Sequence, residues 1–163
     1  MDGCMNNHAH VVKAMIEYER GCGQRIGHFL KVYGYAKAIG ELEGLDPRTQ
    51  LILEAAALMH DVGIKASLAL YGDASGAHQE EEGPPVARKM LEALGYARDV
   101  TDRVCFLIAR HHTYADIDGM DYQILIEADF LVNFSDMPAG DRMGNAKYFR
   151  TAAGKHFLNT IYP

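Results

Sequence analysis

Between Gln24 and Glu43 the apolar residues Ile26, Phe29, Leu30, Tyr33, Ala36, Ile39 and Leu42 advance in steps of three and four, the period of a helix that buries one face. The same spacing runs through His8 to Arg20, at Val11, Val12, Met15, Ile16 and Tyr18, until Gly21 and Gly23 stop it. Gly44 fits a C-terminal cap. Asp46 and Pro47 then read as an N-cap and a first helical residue, opening a helix that carries His60-Asp61 at its end and closes at Gly63. Residues 64–82 hold Gly72, Ser75, Gly76 and the run Glu80-Glu81-Glu82 without a sustained period, which predicts a long loop, a frequent carrier of function. Pro84 and Pro85 begin a helix that buries Val86, Met90, Leu91 and Leu94 and stops at Gly95. Further helices are expected over about 99–112, 121–136 and 139–160, the last interrupted by Gly144 and Gly154. With no hairpin signal, repeat or shift in composition, the expectation is all-α: a helical bundle of six to seven helices, one domain over residues 1–163 with a C-terminal helical extension.

Composition narrows the function classes. Residues are 48% hydrophobic and 23% charged, close to a soluble globular average, and no run approaches the about 18 apolar residues of a membrane span. The start, MDGCMNNHAHVV, lacks the basic head and apolar run of a secretory signal, so a cytoplasmic protein is expected. A net charge of −6 disfavours duplex nucleic acid as a partner. A small phosphorylated molecule stays compatible, because a metal or a few local cations can supply positive potential. Cys4, Cys22 and Cys105 form no CxxC pair, so they read as plain thiols rather than a disulfide framework or a thiolate metal site.

The eight histidines are the anomaly. Asp129 follows Leu125 and Ile126 and precedes Val132 at helical intervals, so it shares their buried face. A carboxylate there needs a partner, either a cap or salt bridge or a bound cation. His28, with Val32 and Tyr35 at four and seven positions, points into the bundle as a core histidine or a ligand. His60 follows Leu53 and Ala56 on an apolar side, with Asp61 turned about 100° away; His111 and His112 end another helix in the same manner. One shared metal accounts for all of these positions. Imidazole and carboxylate donors without thiolate suit a divalent transition metal, Fe, Mn, Co, Ni or Zn.

In their order and helical contexts these residues resemble the HD-domain superfamily, helical metal-dependent phosphohydrolases with the signature H…HD…D. The matching stretches are RIGHFLKVYGYA around His28, ALMHDVG around His60-Asp61 and EADFLVNF around Asp129, over about residues 24–134 with EGPPVARKMLEALGY between them. The resemblance implies that His28, His60, Asp61 and Asp129 bind one metal. Members with two metals add histidines, and His111 in LIARHHT matches one. The other falls on Gln79, with His78 one residue earlier, so His78, His111 and His112 are the candidates for a second ion. A lysine follows the HD pair in phosphodiesterase members, and here Lys65 comes one position later.

The activity so implied is hydrolysis of a phosphate monoester or diester, of nucleotide type, by attack of metal-bound water. Asp61, Glu81 or Glu82 would take the proton, Lys65, Arg25 or Arg110 would bind phosphate oxygens, and Tyr114 with the 64–82 segment would wall in a base. Two rivals keep the same fold: a di-iron oxygenase of HD-related type, and a metal-containing module that senses a nucleotide without catalysis.

Overall fold

The computed structural model describes residues 8–163, so Cys4 and the N-terminal segment read above lie outside the described residues. Its regular elements are all helical: α1 (His8–Tyr18), α2 (Gly23–Leu42), α3 (Pro47–Met59), α4 (Gly63–Tyr71), α5 (Gly76–Ala93), α6 (Arg98–Ile108), α7 (Met120–Asn133), α8 (Ala139–Asn145) and α9 (Ala152–Ile161), with short 3₁₀ turns at Phe134–Asp136 and Ala146–Tyr148. None of the described helices is long and apolar enough to cross a membrane. Cys22 and Cys105 are free thiols.

Two helices form the centre. In α3 every residue from Ile52 to Met59 is buried, and in α7 every residue from Asp121 to Leu131; a helix buried all round must be apolar or internally paired all round. α2 packs against both, and α6 against α3. Asp46 caps α3 as expected, its Oδ1 accepting from the backbone N–H groups of Arg48 and Thr49 at 3.1 and 3.0 Å. His60, Asp61 and Asp129 therefore sit on or just beyond the two most enclosed helices.

The bundle has more helices than the six to seven expected, and the excess has physical causes. The 64–82 segment is no loop: it contains α4 and the first turns of α5. α4 buries only Gly63 and Ser67 and leaves Leu68, Leu70 and Tyr71 exposed, so no inward apolar stripe marks it. Gly63 does not close α3 but opens α4, with a backbone free of positive φ. Its reason is space, since a Cβ there would lie 2.6 Å from the carbonyl oxygen of Gln79 and 2.7 Å from the nitrogen of Gly83. Helices α4 and α5 thus touch through bare backbone.

Pro84 and Pro85 stand inside α5 rather than at its start. Ser75 is the N-cap, its hydroxyl accepting from the His78 N–H at 3.3 Å. The buried stripe of α5 is Gln79, Gly83, Ala87 and Leu91, spaced by four; its first half is polar or small, which is why hydrophobic spacing misses it. A proline has no N–H to give the carbonyl four residues earlier, so the carbonyls of Glu80 and Glu81 lose their helical donors here.

The expected C-terminal helix is divided into α8 and α9, yet neither Gly144 nor Gly154 breaks it. Gly154 lies within α9 because a side chain would collide with the Glu127 carboxylate. Glu127, fully buried on α7, accepts from the Gln123 amide at 2.6 Å and from the Thr151 hydroxyl at 2.7 Å. Tyr162 adds a hydrogen bond to the Leu131 carbonyl at 2.9 Å.

Candidate metal centre

Four ligand-type side chains meet where α2, the end of α3 and α7 converge. The Nε2 atoms of His28 and His60 are 3.1 Å apart. Oδ1 of Asp129 lies 3.1 Å from His28 Nε2 and 3.3 Å from His60 Nε2. Oδ2 of Asp61 lies 3.2 Å from the first and 3.3 Å from the second. His60 is fully buried, its ring edge-on to Phe29 with centroids 5.6 Å apart.

The backbone decides what these atoms are. His60 Nδ1 sits 2.8 Å from the Ala57 carbonyl oxygen, which only accepts, so Nδ1 carries a proton and Nε2 is the atom turned to the cluster, able to hold a second proton or a metal. That nitrogen faces a second imidazole nitrogen and two carboxylate oxygens. Such a set calls for a positive charge at its centre, a proton or a metal cation, and a buried histidine anchored to a carbonyl through its other nitrogen is the usual support for a metal ligand. The electrostatics agree. Burial by itself would lower the His60 pKa, but Asp61 and Asp129 carry it well above the ordinary value. Burial would likewise raise Asp61 and Asp129, yet His60 and the neighbouring histidines hold both below the carboxylate range. The residues fit a divalent cation of the transition series.

Asp61 also reaches outward. Its Oδ1 is 3.1 Å from Nε2 of His111, whose Nδ1 is held by the Ile108 carbonyl at 2.7 Å, the arrangement seen at His60. Asp61, His111 and His112 offer ligand-type atoms within 4.8 Å of one another. His112 is pushed down to about 4, by burial first and then by His111, and so is neutral.

Other sequence candidates lie elsewhere. His78 stacks on Tyr71, ring centroids 3.8 Å apart, and places Nδ1 2.6 Å from Asp73, so it is not brought to the cluster. On a helix starting at Gly76, residue 79 faces inward and residue 78 is rotated about 100° from it. Glu81 is exposed, and Glu82 accepts from the Tyr71 hydroxyl at 3.1 Å. Lys65 donates to the Tyr18 carbonyl at 3.0 Å with its ammonium over the Tyr18 ring. Arg25, one turn before His28, is tied through Nε to the buried Glu19 at 2.7 Å. Arg110 lies over the Phe106 ring, its Nε buried without a partner.

Two residues near the cluster were not nominated from the sequence. Gln79 bonds His112 at 3.1 Å, and Glu80 accepts from the His112 N–H at 3.0 Å and from the Thr113 hydroxyl at 2.9 Å. The signal that finds both is the stripe 79, 83, 87, 91, once α5 is started at its Ser75 cap.

A family model described as HD domain matches residues 25–141, well over half of the chain. The protein belongs to the HD-domain family. The fold agrees: the crystal structure of a protein described as a predicted HD superfamily hydrolase, from an uncultured Thermotogales bacterium, superposes with a TM-score of 0.72 over 95% of this chain and 85% of that one, at 22% identity. No curated protein matches the chain. The match of the HD domain begins just after the N-terminus of α2 and ends in α8, so α1 and α9 flank it.

Proposed function

We propose that this HD-domain protein is a metal-dependent phosphohydrolase acting on a small phosphate monoester or diester of nucleotide type. The observation that carries the reading is the convergence of His28, His60, Asp61 and Asp129, in which the two ring nitrogens lie 3.1–3.3 Å from each other and from an oxygen of each carboxylate. A divalent cation held by these residues supplies a Lewis acid that polarises a phosphoryl oxygen and acidifies a water.

The chain's residues supply the rest. Asp61 would hold the ion through Oδ2, the oxygen it turns to His28 and His60, while His111 fixes Oδ1 at 3.1 Å and keeps the carboxylate from rotating. Arg25 spends only Nε on Glu19 and keeps its two terminal nitrogens for phosphate oxygens, a fork geometry that suits them. Lys65 joins by leaving the Tyr18 carbonyl. Tyr114 stands by the cluster, its hydroxyl pushed up to about 12 by burial and then by Asp129, Tyr148, Glu80 and Asp61. Its ring lies 5.1 Å from Phe130 and 4.8 Å from Tyr148, an aromatic wall that suits a planar base.

The test pairs metal content with turnover. Purified protein loaded with Mn²⁺, Fe²⁺ or Zn²⁺ is offered phosphomonoesters, nucleotides and phosphodiesters, alongside Asp129→Asn. The expected result is phosphate release by the wild type and loss of both metal and activity in the variant. A folded, metal-loaded wild type that hydrolyses none of the panel overturns the hydrolase reading, and oxygen-dependent turnover by a di-iron form would replace it with the oxygenase.

A further inference from the structure

We infer that this HD domain holds one metal ion, and that a hydrogen bond between Gln79 and His112 takes the place of a second. The inference rests on the reading of His28, His60, Asp61 and Asp129 given above. The Gln79 amide has one orientation: its Nε2 lies 2.7 Å from the Ala74 carbonyl oxygen, which can only accept, so the amide oxygen points the other way. That oxygen meets Nε2 of His112 at 3.1 Å. An amide oxygen also only accepts, so Nε2 of His112 bears the proton and offers no lone pair.

The comparison with the first cluster is direct. There, two imidazole nitrogens lie 3.1–3.3 Å from each other and from an oxygen of each of two carboxylates, as ligands around a common ion do. In the second group only Asp61 Oδ1 and His111 Nε2 stand at that spacing, 3.1 Å apart. His112 gives its N–H to Gln79 instead. The ring is also confined: a Cβ on Gly76 would lie 3.1 Å from His112 Cβ and Cγ, and the His112 backbone N–H is bonded to Glu80 at 3.0 Å. His78, the neighbouring imidazole, is held by Asp73 and Tyr71. Gln79 is buried, so no solvent-side movement frees its oxygen.

The experiment counts ions. Wild type and Gln79→His are stripped with chelator, loaded with excess Mn²⁺, desalted and analysed for metal per chain. One ion in the wild type and two in Gln79→His is the expected result. Two in the wild type, or one in a folded Gln79→His, overturns the inference. None in either protein overturns the metal reading itself, and this inference with it. A second readout is independent of turnover and of stoichiometry: in wild type carrying one equivalent of Zn²⁺, ¹⁵N spectra of the imidazoles show His112 protonated on Nε2. A His112 whose Nε2 has lost that proton and shifted to a metal-bound position overturns the inference as well.

Discussion

The Nε2 atoms of His28, on α2, and His60, at the C-terminal end of α3, face each other at 3.1 Å although 32 residues separate them in the chain. Two imidazoles so close, with two carboxylates at their edges, are tolerable only around a shared positive charge.

Removing one member should therefore show in metal binding before it shows in folding. His28 is only half-buried, so His28→Ala is expected to fold and to lose metal affinity about 100-fold or more, since even outer partners of a metal site are worth 10–100-fold. Metal at about 100 times its Kd adds about 2.7 kcal/mol to the wild type, a rise of about 5–10 °C in thermal midpoint for a domain of this size. Calorimetry with and without metal checks this: an equal rise in His28→Ala would remove His28 from the site.

The pH dependence of the metal-free protein follows from the same cluster. His60 has a folded pKa raised above 6.5, against the pull of burial, by Asp61 and Asp129. A raised group stabilises the fold fully below its unfolded pKa and loses that contribution as pH climbs through the folded one. Asp61 and Asp129 are depressed from 3.8 despite burial, chiefly by His60, so their contribution is complete above the unfolded value and fades as pH falls through the folded ones. In chelator, the midpoint should peak between about pH 4 and 6.5 and decline toward alkaline pH. Added metal should flatten the alkaline limb, because the cation replaces the proton. A metal-free midpoint that climbs steadily from pH 6 to 9 would contradict this account.

The backbone contact between α4 and α5 predicts opposite signs for two glycine substitutions. Gly63→Ala drives a methyl into the Gln79 carbonyl and the Gly83 nitrogen and should cost about 1–3 kcal/mol, the usual scale of overpacking. Gly34, inside α2 with nothing near its missing Cβ, should gain about 0.5–1 kcal/mol on substitution by alanine. Denaturant unfolding of both variants measures the difference; equal effects would mean that α4 and α5 adjust freely.

Glu127 is expected to be the anchor of the C-terminal segment. Its carboxylate takes the Thr151 hydroxyl and backbone N–H and the Gln123 amide, and Glu127→Ala leaves buried donors unpaired at about 1–3 kcal/mol each. A loss of about 3 kcal/mol, with amide exchange accelerated first in α9, is the expected outcome. A change within about 0.5 kcal/mol, the range of an ordinary surface substitution, would assign the anchoring to other contacts.

The parts of this fold visible in the sequence are those where burial needs large apolar side chains. The period of α2, the Asp46-Pro47 start of α3 and the stripe around Asp129 are of this kind, and the polar residues interrupting them are the ones the structure gathers. What stayed hidden is packing by absence. Gly63 and Gly83 bury backbone and Ser67 buries a small polar side chain, so α4 and the first half of α5 leave no hydrophobic period. Losing that half-helix shifts the reading of the 78–82 stretch: on a loop His78 can stand in for Gln79, and Glu81 and Glu82 are as good as Glu80, but on a helix only residues 79 and 80 turn toward His112. The division between α8 and α9 was hidden for a similar reason, since Gly154 answers to Glu127, distant in sequence, and not to its own helix.

The proline pair within α5 gives this chain an unusual division of labour. Because the carbonyls of Glu80 and Glu81 are released from the helical ladder, the ladder is interrupted between the turns bearing Gln79 and Glu80 and those bearing Ala87 and Leu91, which belong to the core. Gln79 and Glu80 face His112 from the first part of the helix, while Ala87 and Leu91 face the apolar core from the second. One helix thus serves a polar site at one end and the hydrophobic core at the other.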